Sequence, residues 1–186
     1  MDTVNGGGTI KHWHVIQVLG GTEDRFIQQI QHDRYIAFVP KKTKVFKRKD
    51  VLKKVEEPLF RGYVFVETDE DYLSFLYHLN DHIKPVKGFI RLLRHDRSIE
   101  ETVLPHERAF IEKFTNHRKV IEVSIGVIVG DKVVVTEGPL MGMESMIVRV
   151  DRHKRTAYLE VDFFDRIQTV EVGLDVIQKL ESLNGE

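Results

Sequence analysis

Along the first 115 residues the apolar positions switch between strand-like and helix-like spacing, and after that only strand-like spacing recurs. Residues 13–19, Trp-His-Val-Ile-Gln-Val-Leu, are apolar on both faces, which predicts a strand central in a sheet. Gly20 and Gly21 end it. Thr22 is placed to cap a helix with Glu23 and Asp24 in its first turn and Phe26, Ile27 and Ile30 as its buried stripe. Residues 36–39 return to extended structure and stop at Pro40. Val45 and Phe46 on one side, and Val51, Leu52 and Val55 on the other, flank a turn near Lys49 and Asp50, so a hairpin is expected there. Residues 63–66 read as a second buried strand. A helix should follow from Thr68 or Asp69, with Tyr72, Leu73, Leu76 and Leu79 facing inward. Pro85 and Gly88 punctuate the return to a strand at 89–93. A last helix starts at Pro105, with Phe110 and Phe114 one turn apart.

From 116 to 126 the residues are polar and β-branched without clear period, which marks a linker. Beyond it come short strands at 132–136, 146–151, 156–163 and 168–172, closed by 174–180 as a turn or short strand. The expected organisation is a flexible leader (1–11), an α+β domain (12–115), a linker (116–125) and a small all-β barrel (126–182). The β-branched residues of the last segment, among them Val133, Val134, Val135, Ile147, Val148 and Val161, favour strands there over an alternative helical hairpin.

Composition narrows the class. With 41% hydrophobic and 31% charged residues the chain belongs with globular proteins, and no apolar run approaches the roughly 20 residues of a membrane span. The absence of cysteine excludes disulfides and fits a reducing cytoplasm. The net charge of −1 conceals segregation: Lys41, Lys42, Lys44, Lys47, Arg48, Lys49, Lys53 and Lys54 crowd one stretch, opposed only by Asp50. A second cationic group, Arg149, Arg152, His153, Lys154 and Arg155, lies on an expected β-turn and its approaches. Either group suits a polyanion, and either also suits a merely solvated hairpin.

Catalysis finds no footing. Gly6-Gly7-Gly8 lacks the lysine and hydroxyl of a phosphate loop. His12 and His14 share a side across Trp13 but have no third ligand at metal spacing. His32 with Asp33, and His106 with Glu107, are neighbours only in sequence, whereas acid–base chemistry needs convergence in space. No cofactor and no metal are called for.

The order Trp13-His14-Val15-Ile16-Gln17, then Phe60-Arg61-Gly62-Tyr63-Val64-Phe65-Val66, then Lys87-Gly88-Phe89-Ile90-Arg91 resembles the N-terminal domain of NusG-type transcription elongation factors. Gly130-Asp131-Lys132-Val133, Glu137-Gly138-Pro139-Leu140-Met141-Gly142 and Asp162-Phe163-Phe164-Asp165-Arg166 are similar to their C-terminal KOW domain. The resemblance implies an antiparallel sheet with flanking helices (an NGN-like domain) followed by an SH3-like KOW barrel. Arg61 stands where the family usually has proline, Asp165 where it usually has glycine, and Met143-Glu144-Ser145 fills a small-residue stretch. The cluster 151–155 looks most like LoaP, a specialised antitermination paralogue.

What the resemblance implies is a non-enzymatic, cytoplasmic, monomeric antiterminator. Phe60 and Tyr63, with Trp13 beside them, would hold the clamp helices of RNA polymerase. Arg149, Arg152, His153, Lys154 and Arg155 would contact an RNA hairpin, at a loop or bulge that opens the major groove, with a log–log salt slope of roughly −3 to −4 for about four phosphates. Lys41, Lys42, Lys44, Lys47, Arg48 and Lys49 would follow a nucleic-acid backbone, with non-template DNA, the upstream duplex and RNA all open. Two rivals remain: a general elongation factor whose barrel binds a ribosomal protein or a termination factor, and a ribosome-associated RNA-binding protein.

Overall fold

A computed structural model describes residues 11–49, 51–94 and 103–180, with the side chains of Lys47 and Arg48 outside the described set. All but the last residue of the expected leader also lies outside it. In chain order the elements are β1 (His12–Val18), α1 (Glu23–Gln29), β2 (Tyr35–Phe38), β3 (Lys41–Arg48), β4 (Val51–Pro58), β5 (Tyr63–Thr68) and α2 (Tyr72–His78), which runs into a π-helical turn at Leu79–Ile83. There follow β6 (Phe89–Leu92), α3 (Pro105–Phe114), β7 (Val120–Ile121), β8 (Ser124–Val129), β9 (Lys132–Glu137), a 3-10 turn at Glu144–Met146, β10 (Ile147–Asp151), β11 (Thr156–Asp162) and β12 (Ile167–Leu180).

The described residues cluster into two units. One holds the chain up to Phe38 together with Arg61–Leu104; the other holds Val39–Phe60 and everything from Pro105 onward. The β3–β4 hairpin and α3 therefore group with the C-terminal strands, a different division from one at 116–125.

The first unit is α+β. Its sheet has the order β2-β5-β1-β6, antiparallel throughout, with β1 paired along its length to β5 in the register Ile16 to Val64. β1 is central because its two apolar faces both need cover: Trp13, Val15 and Ile16 are fully buried. α1 begins where expected, but Thr22 does not cap it. Its backbone is not in the extended form that lets a capping oxygen reach the first turn, and its hydroxyl instead donates to the Leu19 carbonyl at 2.6 Å. In α2 the inward stripe is Phe75, Leu79 and Ile83, whereas Leu73 is 62% exposed. The reason is the starting point. Thr68 is still the buried end of β5, and Asp71 supplies the cap, accepting from the Ser74 N–H at 2.8 Å. In a helix starting at Tyr72, Tyr72 and Leu76 are half-buried at the margin of that stripe and Leu73 faces solvent.

The second unit is β-rich. Its larger sheet runs β10-β11-β12-β8-β9 and its smaller one β4-β3-β7. Residues 167–180 form one continuous strand instead of two short pieces, paired antiparallel to β11 as far as Gly173 and parallel to β8 from Leu174. Between Ser124 and Leu180 no α-helix occurs. The stretch expected to be a structureless linker instead contains β7, parallel to the start of β3 (Lys41 to Val120, Lys42 to Ile121), and the beginning of β8. Gly126 hid β8 from pattern reading, because a glycine inside an apolar run looks like a break. It is there for space: a Cβ would sit 2.7 Å from the Val134 carbonyl oxygen.

Candidate nucleic-acid and partner interfaces

In the first unit Trp13 is part of the core. Its indole N–H donates to a Glu67 carboxylate oxygen at 2.9 Å, and its ring meets Phe38 and Phe65 edge-on at 5.0 and 6.3 Å. Tyr63 is half-buried at the start of β5. It stands in register with Gln17 of β1, which pairs onward with Arg91 of β6, and the Arg91 Nε–H donates to the Gln17 side-chain oxygen at 2.8 Å. Tyrosine, amide and guanidinium thus form a row across three strands, apolar at one end and cationic at the other. The turn before Tyr63 is tight. Gly62 has φ +85° and donates its N–H to the buried Glu23 carboxylate at 2.6 Å. Arg61 is exposed and lays its side chain on Gly20, with Nε 3.1 Å from where a Cβ would be.

Behind β1, His14 is fully buried, stacked on Phe75 with ring centres 4.8 Å apart. Nε2 lies 2.9 Å from the Glu70 carbonyl and must carry the proton, which leaves Nδ1 buried without a partner. Burial disfavours the imidazolium and pushes the pKa down to about 4. Because the folded value lies below the ordinary 6.5, stability is complete above pH 6.5 and is lost as the pH falls from there toward 4. The unfolded chain binds the proton first across that window. The loss from this residue is on the order of 3 kcal/mol by pH 4. Urea titrations across pH 7 to 4 should show it, and His14→Leu should flatten the dependence.

Phe60 belongs to the second unit. It is 5% exposed and stacks on Phe163 with ring centres 4.5 Å apart. Near it, the buried carboxylate of Glu107 on α3 accepts from the Phe164 N–H, fixing a backbone that takes positive φ at both Phe164 and Asp165. The departure from glycine at Asp165 is therefore carried by backbone that is held in place.

The basic turn joins β10 to β11. Asp151 accepts from the Lys154 N–H at 3.0 Å, and that bond holds its carboxyl below the usual range. Arg155 sits in the left-handed region at φ 51°, donates from Nη1 to the Asp175 carboxylate at 2.6 Å, and accepts the Leu174 N–H on its carbonyl. Arg155 is thus committed within the fold. Arg149 is exposed, its guanidinium 3.8 Å above the centre of the Tyr158 ring. Arg152, His153 and Lys154 are exposed, although Lys154 Nζ comes to 3.9 Å from Asp151. Arg149, Arg152, His153 and Arg155, with Asp151 and Asp175, frame an open recess of about 530 Å³, and Lys154 stands outside its lining.

At the hairpin, Lys42 is buried and lies 3.9 Å from Glu171; burial lowers its pKa. Burial also works against the charge on Lys44, but hydrogen bonds to Glu171 and Glu57, each at 3.2 Å, carry its pKa above the ordinary value. Lys41 is at the root, its N–H donating to the Lys119 carbonyl at 2.8 Å. Lys49 is exposed in the turn at φ 48°. The exposed cations of β4 are Lys53 and Lys54, which only the cross-strand register distinguishes from the rest of the basic run. Among the described residues no group of three or more His, Asp or Glu is arranged to hold a metal ion, and no helix is long and apolar enough to cross a membrane.

A family model described as "Transcription termination factor nusG" matches residues 11–125. The "Transcription termination/antitermination protein NusG" of Helicobacter pylori is 26% identical over 178 residues, covering 90% of this chain and 98% of that protein. The protein of the same description from Lactococcus lactis is 28% identical over 183 residues, covering 91% and 94%. A solved structure described as "Domain interaction in Thermotoga maritima NusG" superposes with a TM-score of 0.48 at 19% identity over 90% of this chain and 94% of that one. The match to more than half the chain makes it a member of the NusG family, a transcription termination/antitermination factor and not an enzyme.

Proposed function

We propose that this chain is a cytoplasmic antitermination factor of the LoaP kind. Its first unit holds RNA polymerase on the side of Tyr63, and its C-terminal strands act as a KOW barrel that binds a structured RNA through the β10–β11 turn. Contacts that favour the elongating polymerase over paused states would shift the population toward elongation, with no cofactor. The observation that carries the RNA half is the recess at the turn. Arg149, Arg152, His153 and Lys154 project from a backbone held rigid by Asp151 and by Arg155 on Asp175. Such a surface suits phosphates and, through arginine forks, guanine edges at an opened groove. Titrating labelled leader hairpins with the full chain at increasing salt tests it: binding that ignores salt, or that does not distinguish a bulged hairpin from a plain duplex, refutes the assignment.

For the polymerase half, Tyr63→Ala should lower capture of RNA polymerase about tenfold with the thermal midpoint nearly unchanged, since the ring is half-buried. Equal capture by the variant would remove Tyr63 from the interface. One observation favours a second reading, a general factor whose C-terminal strands bind a protein. A recess of about 540 Å³ between edge strands β9 and β10 is lined by Val133, Ile147 and Val148 among others. Protein capture that survives neutralisation of the basic turn, without RNA binding, would favour it.

A further inference from the structure

On the side of the first unit's sheet where Phe75 stacks on His14, three further imidazoles meet. His32 lies in the loop between α1 and β2, His78 ends α2, and His82 follows one turn on, in the π-helical segment. The ring centres are 4.6 Å apart for His78 and His82, 4.8 Å for His32 and His78, and 6.1 Å for His32 and His82. Tyr35 of β2 closes the group, its ring 5.7 Å from His32 and 5.5 Å from His78 and its hydroxyl donating to the Ile30 carbonyl. His32 and His82 are exposed, whereas His78 is 8% exposed and its Nε2 is buried without a hydrogen-bond partner. The other charged groups facing His78 are the Glu70 carboxylate, one oxygen of which is also buried without a partner, and the Arg34 guanidinium, 3.6 Å from the other Glu70 oxygen.

We propose that this cluster is a pH-operated latch: with neutral rings it holds the π-helical turn Leu79–Ile83 against the α1–β2 loop, and with protonated rings it releases that turn while the sheet stays folded. Uncharged imidazoles can lie ring to ring, but each proton bound makes the next harder to add. The first goes to His32 or His82, which water can solvate. His78 then has a cationic ring centred 4.8 or 4.6 Å away. Burial opposes a charge on His78, the Glu70 carboxylate favours one, and His82, His32 and Arg34 oppose it; the balance holds its pKa below the ordinary 6.5. Because the folded value is the lower one, the latch is fully closed above pH 6.5 and weakens as the pH falls below it. The rings that repel sit at a π-helical turn, a rare geometry that occurs mostly as a single turn and often at functional sites. Its closing bond runs from the Lys84 N–H to the Leu79 carbonyl at 2.8 Å, while Phe75, one turn back, stays anchored on His14. The inference does not depend on the role given to Tyr63, which lies on the opposite face of the sheet.

The test is amide hydrogen exchange of the full chain, resolved by residue and corrected for intrinsic rates, at pH 7 and pH 5.5. Protection at residues 82–84 should fall about tenfold more than protection in β1 and β5, the sign of a local opening. His32→Gln combined with His82→Gln, both at exposed positions, keeps the side chains polar and removes the charges beside His78. In that paired variant the excess fall should shrink to about twofold or less. A thermal midpoint at pH 7 close to the parent's checks its fold. His14→Leu should leave the excess fall in place, which separates the latch from the pH dependence of overall stability. Protection at residues 82–84 that changes only in step with β1 and β5, or an equal excess fall in the paired glutamine variant, overturns the proposal.

Discussion

Trp13→Ala should destabilise the first unit by about 3–5 kcal/mol, the range for deleting a large buried aromatic. The ring is fully buried against Phe38 and Phe65, and its N–H is the partner of Glu67. Removing it opens a cavity beside Phe38 and Phe65 on one face of the sheet and leaves a carboxylate without its donor, and neither loss can be repaired by collapse of a sheet pinned on both sides. Trp13 is the chain's single tryptophan, so the variant must be followed by circular dichroism in urea, with the parent followed by fluorescence as well. Any failure of Trp13→Ala to capture RNA polymerase would then report loss of fold. Trp13→Phe keeps most of the packing and separates the two effects: capture close to the parent's places Trp13 behind the interface, not on it. A midpoint for Trp13→Ala within error of the parent's would contradict the packing described here.

Replacing Arg149, Arg152 and Lys154 together by alanine should lower affinity for a bound RNA hairpin by about 100-fold at low salt, on the order of 1 kcal/mol per exposed contact. The log–log salt slope should become shallower by about 2–3, since each lost phosphate contact removes 0.7–0.9 from it. These side chains project from the fold and make only the Arg149–Tyr158 stack and the exposed Lys154–Asp151 pair, so the melting temperature should move little. Arg155→Ala should behave in the opposite way, costing stability through the orphaned Asp175 and changing the salt slope hardly at all. A triple variant with full affinity and an unchanged slope would move RNA recognition away from this turn.

How much of this was legible in the sequence depends on the kind of signal. Period and punctuation located β1, α1, the hairpin, β5 and α3, because apolar faces and Gly or Pro breaks are local properties. Leu73 was misplaced because a helix phase depends on its first residue, and the capping role of Asp71 competes with equally plausible starts at Thr68 and Asp69. β8 was missed because Gly126 answers to a neighbouring strand that adjacent residues do not reveal. Among the candidate site residues, Tyr63, Arg152 and Lys154 could be nominated by type and position. That Arg155 is spent on Asp175, Lys44 on Glu171, and Phe60 on Phe163 depends on partners at a distance in sequence, which spacing cannot supply.

The long β12 strand ties together two cationic elements that are far apart in sequence. Glu171 neutralises the hairpin root, Asp175 neutralises the basic turn, and Gly173 between them has no room for a side chain, since a Cβ would lie 2.8 Å from the Thr43 carbonyl oxygen. With both carboxylates on one strand, Lys44 and Arg155 stay engaged within the fold, and the exposed cations at the hairpin and at the turn are the ones left open to a phosphate.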